Sequence, residues 1–166
     1  MKTRVVALWQ SLFDATEPPW RYLGIVLLFD LPVTAALSLA LQGFTGGANP
    51  AFTGHSLLEV LLVAGVATAF LETMVLSVIL ELTKLFLRST LAVAATAAVI
   101  SAGLHSLAAP AWGLVIAWAF FLQSLCYLTW QSRSWLAAVA MTAVFHALHN
   151  LFPTLLLAAE RLRASP

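Results

Sequence analysis

The chain has 166 residues, 61% of them hydrophobic and 9% charged, with a formal net charge of +1, whereas a soluble domain carries about 25% charged residues. With a mean hydropathy of +0.95, a protein this short has too little interior to hide its apolar side chains from water, so an ordinary soluble fold is excluded and a single membrane-embedded domain over residues 1–166 is implied. The near-neutral charge excludes a nucleic-acid binder, and the lone Cys126 excludes an intramolecular disulfide or a cysteine metal cage.

The N-terminal stretch MKTRVVALWQSLFDATEPPW predicts a short amphipathic helix at the membrane interface. Val5, Leu8, Trp9, Leu12 and Phe13 recur at helical spacing. It does not read as a signal peptide, because its apolar part is short, lacks a small-residue cleavage site, and is broken by Asp14, Glu17 and Pro18-Pro19. A spanning helix needs about 20 mainly apolar residues. The first candidate runs from Trp20 to Leu41, with Asp30 and Pro32 inside it, and a polar loop, QGFTGGANPAFTGHS, follows.

The second apolar block, Leu57 to Leu87, is 31 residues long, too many for one straight crossing at about 1.5 Å per residue. A break near Gly65–Thr68 is therefore expected. It would leave Leu57–Val66 shallow or re-entrant and Phe70–Leu87 as the crossing helix, with Glu72 at its outer end. The third span runs from Leu91 to Ala108, before Pro110; the fourth from Trp112 to Trp130; the fifth from Trp135 to Ala159, with Pro153 inside. These runs are apolar on all sides, which excludes a β-barrel and leaves an all-α polytopic bundle of about five spans. Trp20, Trp112, Trp130 and Trp135 fall at span ends, where indoles favour the headgroup region. Lys2, Arg4, Arg21, Lys84, Arg88 and Arg133 fall on one side and only Arg161 and Arg163 on the other. That bias predicts a cytoplasmic N-terminus; the membrane is expected to be a bacterial inner membrane.

Ionisable side chains at membrane depth are costly and mark function by default. Glu81 and Lys84, three apart near a helix end, are expected to pair or snorkel. Glu59 is expected to face water, and Asp30 to pair with another helix or satisfy a kinked backbone. Glu72, His105, His146 and Asn150 lie well inside apolar blocks on three helices. His146 and Asn150, four apart in FHALHN, share one helix face. His149 is offset from that face and reads as an interhelical hydrogen-bond partner. Small residues at Gly65, Ala67, Thr68, Ser101, Ala102 and Gly103 would let these helices approach closely.

Glu72-Thr73-Met74-Val75-Leu76-Ser77, then Ser101-Ala102-Gly103-Leu104-His105, then His146-Ala147-Leu148-His149-Asn150 form an ordered set. It resembles the CAAX protease and bacteriocin-processing (CPBP) family of intramembrane proteases, whose pattern is E-E-x-x-x-R, F-x-x-x-H, then H-x-x-x-N or H-x-x-x-D. The resemblance covers about residues 60–155 and is that of a divergent member, since Thr73, Ser77 and Ser101 stand where the family has Glu, Arg and Phe. It implies that Glu72 with His105 activates water and that His146 and Asn150 stabilise an oxyanion. The substrate implied is a membrane-associated peptide or protein.

The chemistry is coherent on its own terms. Peptide hydrolysis needs a base poised near neutral pH and donors aimed where negative charge develops, and a buried carboxylate, an imidazole and a carboxamide supply them. No cofactor is expected on this reading; the alternative is a zinc ion held by Glu72, His105 and His146 with water in the fourth position. Other readings of the same residues are a polar network in a noncatalytic scaffold or accessory subunit of a membrane complex, a small-ligand transport subunit, or a haem site on His105 and His146.

Overall fold

A computed structural model describes residues 2–45, 56–108 and 110–164. Its elements are α1 (Lys2–Ser11), α2 (Pro19–Thr45), a single turn α3 (Leu57–Glu59), a π-helical segment (Val60–Ala67), α4 (Thr68–Lys84), α5 (Thr90–Ser106), α6 (Trp112–Trp130) and α7 (Trp135–Ala164). No strand occurs among the described residues. Most of the expected polar loop, residues 46–55, lies outside them. Four stretches are long and apolar enough to cross a membrane: Pro19–Leu41, Val60–Lys84, Trp112–Trp130 and Trp135–Leu155. α5 is equally apolar but has 17 residues, at the lower edge of what spans a bilayer. The protein is an integral membrane helical bundle.

α6 is its central helix. Some 67% of its residues are buried, against 17% for the first span. It packs against α5, α7 and α2. Gly113, at its start, permits a close approach to α5. A Cβ there would lie 2.2 Å from the Ala102 carbonyl oxygen and 2.2 Å from Ser106 Oγ on α5. The glycines singled out from sequence do not serve this purpose. A Cβ on Gly103 would meet nothing within 4 Å, and one on Gly65 only its own helix at 3.9 Å.

The second block departs from regular helix where its length asked for it, but as a π-helical segment rather than a break. Thr68 N–H reaches the Val63 carbonyl, five residues back, and backbone angles stay helical at Glu59, Ala67 and Thr68. A wider turn absorbs surplus residues without interrupting the hydrogen bonds that lipid would not replace. The π-helical segment packs against α7. Its entry is a capping box: Ser56 N–H donates to Glu59 Oε2 at 2.7 Å and Glu59 N–H to Ser56 Oγ at 3.2 Å.

Contacts at one end of the bundle gather the predicted cytoplasmic charges. Lys84 pairs with Glu81 at 2.7 Å and also donates to Gln131 Oε1 at 2.8 Å, joining the ends of α4 and α6. Tyr127 Oη donates to the same Glu81 at 3.2 Å. α1 docks here through Leu12, which is fully buried and whose carbonyl accepts from Tyr22 Oη at 3.0 Å and Thr129 Oγ1 at 2.7 Å. In the turn that follows, Thr16 Oγ1 and N–H both donate to Asp14, holding its carboxyl below the usual carboxylate range. Trp20 and Trp135 are exposed, as expected of headgroup anchors, but Trp130 is buried. Its ring meets Tyr22 edge-on at 5.5 Å and carries the Arg133 guanidinium at 4.7 Å.

Candidate functional site

Glu72 stands in the second turn of α4, and its carboxylate lies between two imidazoles. Oε1 is 3.4 Å from His105 Nε2 on α5, and Oε2 is 3.3 Å from His146 Nε2 on α7. Both spacings are at the long edge of hydrogen bonding, so the carboxylate is shared between the rings rather than committed to one. The Glu72 side chain is 30% exposed and that of His105 25%, whereas His146 is buried. One side of the centre is open and the other is closed.

α4 and α5 deliver this meeting because they run antiparallel from a short turn at residues 85–89. Glu72 lies twelve residues before Lys84 and His105 fifteen after Thr90, which puts both at about 18–23 Å from that turn. The continuous run Leu57–Lys84 thus brings Glu72 level with His105. α4 and α5 have 17 residues each, and Leu57–Ala67 continues past the end of α5.

His105 is oriented by its own helix. Its Nδ1 lies 2.9 Å from the Ser101 carbonyl oxygen, and a carbonyl can only accept, so Nδ1 carries the hydrogen. That leaves Nε2 to face Glu72, where the pair can share a proton. Phe120 of α6 packs against both imidazoles, with ring centres 5.1 Å from His105 and 5.9 Å from His146, and excludes water from that side. His146 Nδ1 is buried and has no hydrogen-bond partner among the described residues. Asn150 follows one turn along α7, half-buried, and its backbone carbonyl accepts from Thr154 Oγ1 at 2.9 Å.

A second acid–imidazole pair lies beside the first. Asp30, fully buried in α2, faces His149 Nδ1 at 2.5 Å, and Thr34 Oγ1 donates to its other oxygen at 3.0 Å. His149 is thus an interhelical partner, as read from sequence, and Asp30 pairs across helices with it. What sequence reasoning did not join was the two ends of that pair. The available signal was arithmetic: Asp30 is the one acid in α2, and His149 the imidazole left over in FHALHN. α2 is also held by Trp118 Nε1, which donates to the Phe29 carbonyl at 2.9 Å. The His146 and His149 rings are 6.5 Å apart, centre to centre, at 65°.

Among the described residues, no group of three or more His, Cys, Asp or Glu is arranged to hold a metal ion. Each Nε2 faces a different oxygen of Glu72.

The chain matches no protein-family model, no curated protein and no solved structure. Fold and site together define an integral membrane bundle with a carboxylate held between imidazoles from two other helices.

Proposed function

We propose that this chain is an intramembrane peptidase of the CPBP type, in which Glu72 activates water to hydrolyse a peptide bond of a membrane-associated protein or peptide. The observation that carries the reading is the Glu72 carboxylate set between His105 Nε2 and His146 Nε2 at 3.4 and 3.3 Å, on three separate helices. Glu72 takes a proton from water on its open side, and His105, fixed by the Ser101 carbonyl, shares that proton. His146 and Asn150, one turn apart on α7, donate to the oxyanion. A site walled by Phe120 and lipid strengthens such donors by excluding water. On this reading the N-terminus is cytoplasmic, in a bacterial inner membrane.

The test compares new protein termini in membranes from cells carrying wild-type or Glu72→Gln protein. Losing a general base costs about 10²–10⁴ in rate, so wild-type-dependent cleavage sites should vanish with Glu72→Gln at equal expression. Identical termini in the two membranes would sink the reading.

One observation favours a second reading, a noncatalytic scaffold or accessory subunit. At two positions where the family carries a supporting Glu and Arg, Thr73 and Ser77 turn their hydroxyls to their own helix, onto the Ala69 and Met74 carbonyls at 2.7 Å each. On that reading Glu72→Gln would release a partner protein or lower the melting temperature, and leave every terminus unchanged.

A further inference from the structure

The two acid–imidazole pairs form one row across the bundle. Asp30 on α2 meets His149 on α7; His149 neighbours His146; His146 faces Glu72 on α4; Glu72 faces His105 on α5. The row is open at Glu72 and His105 and closed at Asp30, which is fully buried. A row of ionisable side chains with one buried end cannot carry protons through a membrane. It can store one.

We propose that Asp30 and His149 are a buried proton acceptor for Glu72, reached through His146. The reading of Glu72 as a base supplies the proton to be stored, so to that extent the inference rests on the proposed function. The transfer balances as follows. Protonated Glu72 gives its proton to His146 Nε2, and His146 gives up the one on Nδ1. That proton passes to His149 Nε2, while His149 Nδ1–H stays on Asp30. Glu72 ends as a carboxylate and His149 as an imidazolium against the Asp30 carboxylate; the reverse transfer returns the proton to Glu72 for the leaving amine and restores the Nδ1–H of His146.

Three features support this route. His146 Nδ1 is buried without a partner among the described residues, on the ring whose other nitrogen faces Glu72. The ring centres of His146 and His149 are 6.5 Å apart, close enough for one water molecule to bridge the two rings. Asp30 is already held for the charged product, with His149 on one oxygen and Thr34 on the other. The ionisable groups facing the pair are therefore His146 on its own helix, Glu72 on α4 and, beyond it, His105 on α5.

Hydrogen exchange tests the route without reference to peptide cleavage. The protein would be labelled with ¹⁵N-histidine and placed in lipid vesicles, and proton exchange at His149 Nε2 followed from the broadening of its ¹⁵N resonance by NMR. The expected result is exchange slowed at least about tenfold by His146→Phe and by Glu72→Gln. The second variant keeps shape and folding if the first does not. Persistence of the Asp30-bonded proton resonance checks that the pair is intact in each. Exchange unchanged in Glu72→Gln overturns the proposal, whatever the cleavage assay gives. Slowed exchange with no cleavage by the wild-type protein keeps the relay and removes the peptidase.

Discussion

The two acid–imidazole contacts in this bundle are built oppositely. Asp30 and His149 are both buried and 2.5 Å apart, with a third group, Thr34, on the carboxylate. Glu72 is partly exposed, stands 3.3–3.4 Å from two rings, and is fully committed to neither. A buried ion pair is expensive to break, because the partner left behind is charged and dry. A loosely held, half-open carboxylate contributes little to stability and keeps its oxygens available. An acid with an imidazole therefore fastens helices in one place and leaves a partly exposed carboxylate a turn away.

The sharpest way to break this contrast is to strand one member of the buried pair. His149→Leu leaves the Asp30 carboxylate buried alone and should lower unfolding free energy by about 3–5 kcal/mol, read from thermal unfolding in detergent. Asp30→Leu combined with His149→Leu should recover much of that loss, since apolar replacement of a buried pair is often neutral or better. Removing Glu72 by Ala should cost less than about 1 kcal/mol on the same assay, in line with a partly exposed pair.

His146 sits between the two regimes, being buried yet facing Glu72. On the proposed peptidase reading, His146→Ala and Asn150→Ala should each slow cleavage by about 10²–10³, the usual cost of one oxyanion donor, at preserved expression. Gly113→Ala probes how the open centre is positioned. The new methyl would meet backbone at Ala102, which cannot rotate away as Ser106 can. The end of α5 must shift, at about 1–3 kcal/mol, and His105 with it, so activity should fall more than stability. The smallest effect is expected at the bundle end. Lys84→Ala removes a partly exposed pair with Glu81, and should change stability by about 0–1 kcal/mol, less at high salt.

The candidate site was partly legible in the chain. Glu72, His105, His146 and Asn150 stood out because ionisable and amide groups are rare in lipid, and His146 and Asn150 were placed on one face by spacing alone. Their levels were harder to read. The level of Glu72 depends on where α5 ends against the run Leu57–Lys84, which continues past it, and no residue of the sequence states that. The π-helical segment was foreshadowed by excess length but not by any residue, since widening a turn needs no special side chain. Gly113 escaped notice because a glycine beside Pro110 and Trp112 reads as a span boundary, and its use depends on where α5 lies.

By itself the sequence determined the solvent and the class: 61% hydrophobic residues and apolar runs of spanning length admit only helices that satisfy their own backbone in lipid. It also determined which few side chains would be costly there. Tertiary structure alone decided who partners whom. Asp30 and His149 are 119 positions apart, and no local periodicity relates residues on different helices. Helix lengths, the close approach at Gly113 and the central place of α6 fix those distances, and they divide the polar residues into one sealed pair and one open centre.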